Sequence, residues 1–214
     1  MKPLLGLILA AGVALGAAPQ TAPPAAAALA QLIQSHYTGV TDFTADFTHA
    51  FKGGLLPQTS VEYGTVKIKK PGRMYWSYKR PEVKDIVADG RLLYTYIKAD
   101  RVCYVSDLPA GNDAPTALLF LTGRGDLMRD FKFALSPTQP ANEWRLRLTP
   151  IKKDADFVEL TIGVEPKSLK MITLESIDAD GGKSTFTFAN LRENTGIPDK
   201  EFAFTPPKGV DVIR

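Results

Sequence analysis

The chain is poor in the residues that build catalytic and metal centres. A single cysteine, Cys103, and two histidines, His36 and His49, are spread over 214 residues. One cysteine cannot close an internal disulfide, so the fold must rest on its hydrophobic core. Neither histidine lies at a spacing that metal coordination or a catalytic triad requires, and both are expected in structural or surface roles. Cys103, in the run Val102-Cys103-Tyr104-Val105, reads as a small packing residue. There is no Gly-rich phosphate loop between a strand and a helix, and no nucleophile elbow. An imbalance of charge is lacking too. The formal net charge is +3, with lysines and arginines scattered among acids, which gives no footprint for nucleic acid.

Long hydrophobic runs are absent as well. After Lys2 the stretch Leu4 to Ala18 is uncharged, rich in Leu, Ile, Val, Ala and Gly, and ends in small residues. It falls short of the roughly 20 residues of a membrane span and has the make-up of a signal peptide, with cleavage after Gly16 or Ala18. Residues 1–18 are therefore expected to be a leader, 19–24 an Ala/Pro linker, and 25–214 a single domain. About 190 residues suffice for one core. No cysteine follows the leader to be acylated.

What is present is periodicity. A helix is expected from about Ala25 to Tyr37, with Leu29, Leu32, Ile33 and Tyr37 on one face and Gly39 as its stop. Beyond it the period changes to two. Phe43, Ala45 and Phe47 alternate with polar residues, as do Val66 and Ile68, Met74, Trp76 and Tyr78, and Leu92, Tyr94 and Tyr96. The pattern returns in Leu146 and Leu148, in Val158, Leu160 and Ile162, and in Phe186 and Phe188. Pro71-Gly72, Asp89-Gly90 and Asp180-Gly181-Gly182 punctuate these runs. Asp89-Gly90 suits a two-residue hairpin turn with positive φ at both positions. Asp178 and Asp180 flank glycines and read as turn residues without an acid–base task. Many short strands joined this way predict an antiparallel sheet that curls or closes.

One interruption breaks the alternation. Residues 115–121 and 126–131 are apolar without a period of two and are divided by Gly123-Arg124-Gly125. They are expected to be two short helices packed on the concave face, the first begun by Asp113 and Pro115 and ended at Gly123. Arg124-Gly125-Asp126 reads as the turn between them. No constellation for catalysis emerges, and the chain is not expected to be an enzyme.

Three stretches carry a resemblance. Gly64-Thr-Val-Lys-Ile-Lys-Lys-Pro-Gly-Arg-Met-Tyr-Trp-Ser-Tyr-Lys-Arg-Pro81, then Asp85-Ile-Val-Ala-Asp-Gly-Arg-Leu-Leu-Tyr-Thr-Tyr96, then Phe202-Ala-Phe204-Thr-Pro-Pro-Lys-Gly-Val-Asp-Val212 resemble, in order, the periplasmic outer-membrane lipoprotein carriers of the LolA family. The resemblance implies an incomplete antiparallel β-barrel around an apolar cavity, covered by short lid helices. It implies a monomeric Gram-negative periplasmic protein without cofactor or metal. Such a carrier takes acylated lipoproteins from an inner-membrane lipoprotein-releasing ABC transporter and passes them to an outer-membrane lipoprotein receptor. Carried over, the acyl-chain cavity takes Trp76, Ile86, Ile33 and Tyr37, with Leu118, Leu119 and Phe120 from the lid. Phe47, Tyr78 and Tyr94 are expected to extend the same wall. Met74 falls on a position that contacts the transporter. Lys70 stands where the family has an arginine that latches the lid, and offers a point charge in place of a planar fork of donors. A related lipid- or glycolipid-binding or sensor protein of the same fold is the alternative.

Overall fold

The computed structural model describes residues 22–54, 58–108, 126–152 and 157–214. The leader and the first lid segment, with Leu118, Leu119 and Phe120, lie outside the described residues. The chain opens with helix α1 (Ala26–Gly39), followed by strands β1 (Asp42–Lys52), β2 (Thr59–Lys69), β3 (Arg73–Arg80), β4 (Lys84–Asp89), β5 (Leu92–Ile97) and β6 (Val102–Asp107). A short helix, α2 (Leu127–Asp130), then leads into β7 (Phe131–Leu135), β8 (Trp144–Pro150), β9 (Glu159–Val164), β10 (Met171–Ile177), β11 (Lys183–Glu193) and β12 (Asp211–Ile213).

Among the described residues the strands form one 12-stranded sheet in the order β12-β6-β5-β4-β3-β2-β1-β11-β10-β9-β8-β7. All pairs are antiparallel except β12 with β6. The sheet does not close, and β12 and β7 are its edges. It curls strongly. Three inter-strand steps separate β3 from β11, roughly 14 Å on a flat sheet, yet the Trp76 and Phe186 rings meet at 5.1 Å. The turn pattern predicted a sheet that curls or closes, and the incomplete barrel implied by the resemblance is the architecture found.

Register decides which side chains share the concave face. Phe43↔Ile68, Ala45↔Val66 and Phe47↔Gly64 continue as Ile68↔Met74, Val66↔Trp76 and Gly64↔Tyr78, so these residues all point inward. On the other half Leu174↔Ile162, Ile162↔Leu146 and Leu160↔Leu148 do the same. Both sets join one buried cluster with Leu29, Ala30, Ile33 and Tyr37 of α1. The helix is longer than expected, and its buried stripe is shifted. Leu32 is 42% exposed, while Ala30 is buried. At 100° per residue the buried positions centre near Ile33 and Tyr37, and Leu32 falls outside that arc.

Two further expectations change. Asp126 caps α2 by accepting from the amides of Met128 (2.8 Å) and Arg129 (3.0 Å). The helix ends after four residues, and Phe131 opens β7 with its ring buried. The apolar side chain serves the sheet because its partner strand β8 offers a ladder there. At Asp89-Gly90, Gly90 has φ +101° and Asp89 has an ordinary negative φ. The Asp89 carboxylate accepts from the amides of Arg91 and Leu92, both at 2.8 Å, so a side chain supports this turn. Among the described residues no helix is long and apolar enough to cross a membrane.

The start of β1 is tied to the far end of β11 through Asp42. Its carboxylate accepts from the Thr195 amide (2.8 Å), the Thr195 hydroxyl (2.9 Å) and the Gly196 amide (3.0 Å). Burial alone would raise this carboxyl, but the hydrogen bonds from Thr195 and Gly196 outweigh it and hold its pKa below the ordinary value. The stabilisation is therefore present above the unfolded value of 3.8 and lost as pH falls through the lower folded one. Asp42→Ala is expected to cost about 3 kcal/mol in urea denaturation at pH 7. The stability gap between the wild type and Asp42→Asn should shrink below pH 3.8. A gap independent of pH would contradict this account.

Candidate functional site

On the concave wall of the sheet, strand parity gathers aromatic rings. Gly64 makes the centre possible. A Cβ there would come within 2.6 Å of the Phe47 ring, so the ring lies over bare backbone. From that seat Phe47 meets Tyr78 at 4.9 Å, Trp76 at 5.2 Å and Phe186 at 5.8 Å, all edge-on. Phe188 lies behind, 6.3 Å from Trp76. Such tilted and edge-on contacts suit the ring quadrupoles. Trp76 is 9% exposed, and Ile86, opposite it on β4, packs against the same cluster.

Tyr37 pins helix α1 to this wall at two points, beside the pair His36–Glu193 at 3.0 Å. The Tyr37 hydroxyl accepts from the Met171 amide on β10 at 2.8 Å. Its carbonyl accepts from the Lys70 ammonium, which lies just beyond β2. Burial pushes the Tyr37 phenol well above its usual pKa, with the Glu193 carboxylate adding to the shift. Burial lowers the Lys70 ammonium, against the opposing pull of Glu193.

The expected wall residues Ile33, Tyr37, Phe47, Trp76, Tyr78 and Ile86 are thus brought to one face. Tyr94 is a correction. Ala88↔Leu93 and Ile86↔Thr95 put Leu93 and Thr95 on the face of Trp76, so Tyr94 points to the opposite side. There it meets Phe204 at 5.4 Å. A period of two fixes alternation without fixing phase, and here both phases are covered. The C-terminal segment crosses the convex face, where Lys69 pairs with Asp199 at 2.6 Å and Lys67 with Glu201 at 2.6 Å. Val87, Cys103, Val105, Ile197 and Phe202 are buried on that side. Cys103 therefore packs, and burial pushes its thiol up.

Met74 also faces inward, in register with Ile68 and Ala88, and is 4% exposed. The latch expected at Lys70 concerns the segment 115–121, outside the described residues. Phe186, Phe188 and Leu174 were not among the expected wall residues although they share it. The alternation of Phe186 and Phe188 was visible, but the pairing of β11 with β1, about 140 residues earlier, and of Leu174 with Phe186 was not.

The wall ends in a polar row. Two residues beyond the aromatic positions, His49, Glu62, Lys84 and Ser184 face inward. Glu62 accepts from Lys84 (2.6 Å) and pairs with His49 Nδ1 (2.9 Å), and His49 Nε2 pairs with Ser184 Oγ (2.7 Å). Burial alone would raise Glu62, but these bonds hold it below its ordinary pKa. His49 is lowered, chiefly by burial and further by Lys84, against the pull of Glu62. Among the described residues no group of three His, Cys, Asp or Glu is placed to hold a metal.

Comparison with known proteins bears on this wall. Residues 38–205 match the family model described as outer membrane lipoprotein carrier protein LolA. The chain is 34% identical over 196 residues to the outer-membrane lipoprotein carrier protein of Cupriavidus pinatubonensis, covering 90% of each chain. It is 33% identical over 215 residues to that of Chromobacterium violaceum, covering 100% of this chain and 98% of the relative. Among solved structures, an uncharacterized conserved protein from Thermus thermophilus shares the fold with a TM-score of 0.54 at 11% identity, covering 86% of this chain and 98% of that one.

The double anchoring of Tyr37 generates a prediction. Lys70→Met leaves the Tyr37 carbonyl without its charged donor and should speed amide hydrogen exchange over Ile33 to Gly39 about tenfold. Exchange equal to the wild type would remove Lys70 from the anchoring of α1.

Proposed function

The chain belongs to the outer membrane lipoprotein carrier protein family, LolA, and from that membership we propose that it carries acylated lipoproteins across the periplasm with their acyl chains against the concave wall. The observation that carries the proposal is the continuity of that wall, in which Ile33, Phe47, Trp76, Tyr78 and Ile86 belong to one apolar cluster. Each buried methylene is worth about 0.8 kcal/mol, so a 16-carbon chain resists exposure to water by roughly 12 kcal/mol. A carrier must match that term without adding directional bonds that would prevent release. Aromatic and aliphatic surface does so, since it tolerates a chain in many positions. Entering chains replace ring-to-ring contacts with ring-to-chain contacts.

The rest of the reading follows from that role. Residues 1–18 direct export and 25–214 form the carrier domain, which performs no chemistry on its cargo. Cargo is received from an inner-membrane lipoprotein-releasing ABC transporter and passed to an outer-membrane lipoprotein receptor. Met74, on the inward face, meets the transporter when the wall opens. Leu118, Leu119 and Phe120 cover the wall as a lid, and Lys70 helps to hold it. An ammonium has three protons, and among the described residues Tyr37 engages one.

Trp76 reports on occupancy. Its fluorescence should shift to the blue when an acylated lipoprotein is added and stay unchanged with the same lipoprotein stripped of its acyl groups. Binding of the acylated form without any spectral change would move the cargo away from this wall.

A further inference from the structure

The polar row at the end of the wall has a place in the carrier reading, on which this inference rests. On four strands the inward residue changes from apolar or glycine to polar along a staggered line, with Glu62 opposite His49, Lys84 one inward position back, opposite Tyr78, and Ser184 one further on, opposite Phe51. Phe47 gives way to His49 on β1, Gly64 to Glu62 on β2, Ile86 to Lys84 on β4, and Phe186 to Ser184 on β11. Two residues along a strand is about 7 Å, and the row borders the aromatic rings, with His49 stacked on Phe186 at 4.1 Å and Lys84 opposite Tyr78. The join is direct. The Lys84 ammonium sits 4.5 Å over the ring of Tyr78, which also meets Phe47 at 4.9 Å and His49 at 6.4 Å.

The row's internal hydrogen bonds decide what it has left to offer. Ionised Glu62 can only accept, so His49 Nδ1 carries the proton it shares with Glu62. In neutral His49, Nε2 is then an acceptor, and the Ser184 hydroxyl donates to it. Ser184 and His49 are thereby satisfied. Lys84 engages Glu62 at 2.6 Å, with Glu82 at 4.0 Å, and retains donor capacity. The Tyr78 hydroxyl has no hydrogen-bond partner among the described residues, and burial with the nearby Glu62 charge keeps it protonated. Two donors therefore remain where the apolar wall stops. The carboxylate and ammonium cancel, so the row is electrically neutral.

We infer that Lys84 and the Tyr78 hydroxyl receive the ester and amide carbonyls of the cargo's lipid headgroup, with the acyl chains running from there towards Trp76. An acyl chain ends in a carbonyl that loses its water on entering the wall, and an unsatisfied carbonyl opposes entry. Donors at this level remove that penalty and set how deep the chain goes. Balanced charge suits neutral carbonyls rather than a phosphate, whose charge needs net positive surroundings.

The test separates headgroup from chain. The hydrocarbon dye diphenylhexatriene reports binding to the wall, and a synthetic dipalmitoylglyceryl-cysteine peptide competes for it. Lys84→Met should weaken the lipopeptide about tenfold and leave the dye within about twofold, whereas Lys84→Arg keeps both. Tyr78→Phe keeps the ring in the wall and removes only the hydroxyl, so it should weaken the lipopeptide severalfold more than the dye, which guards against a folding defect in the lysine variant. Equal weakening of dye and lipopeptide, or no weakening of either, overturns the inference while leaving the carrier reading in place. So does a wild-type preference for dipalmitoyl phosphatidylglycerol that Lys84→Met abolishes, since the row would then serve an anionic headgroup. Failure of the wild type to bind both dye and lipopeptide overturns the carrier reading itself.

Discussion

The contact between Trp76 and Phe186, made across two intervening strands, sets the curvature on which the molecule depends. Inward side chains on β3 and β11 meet only if the sheet bends around them, and the bend gives α1 its seat. The same curvature separates two environments on one sheet. The inner face carries the apolar cluster from β4 round to β7, and on the outer face the C-terminal segment covers Val87 and Cys103. Because β12 and β7 stay apart as the edges of the sheet among the described residues, the wall is held in a trough.

Tyr37 links that trough to its helix from both sides, through its hydroxyl to β10 and its carbonyl to Lys70. Neither bond involves the aromatic wall. The wall can therefore exchange ring contacts for acyl contacts while α1 keeps its position. Retention in such a trough comes from area, which is large and undirected, and location comes from the few donors at its polar end. This division of labour suits a cargo that has to be held firmly and then surrendered.

Much of the fold was legible in the sequence, because alternation such as Phe43, Ala45 and Phe47 needs a sheet with one dry face, and Gly90 and Gly181 mark turns by their positive φ. Phase was not legible. Tyr94 alternates as cleanly as Trp76 and points the other way, since Phe204, more than 100 residues later, supplies its apolar cover. Leu32 was placed on the buried stripe by its spacing from Leu29, but the stripe is centred on Ile33 and Tyr37. The polar row escaped the sequence for a third reason. His49, Glu62, Lys84 and Ser184 are unremarkable singly, and only strand pairing brings them within hydrogen-bond reach of one another.

The central claim is that cargo acyl chains lie against the inner face and never the outer one. Neighbouring positions on β11 test it, because Phe186 points inward and Thr187 outward. A photo-crosslinking residue placed at each in turn, followed by irradiation with a lipoprotein carrying radiolabelled acyl groups, reads the face directly. The account predicts strong labelling at 186 and background at 187. Equal labelling at both, or labelling at 187 alone, would contradict it.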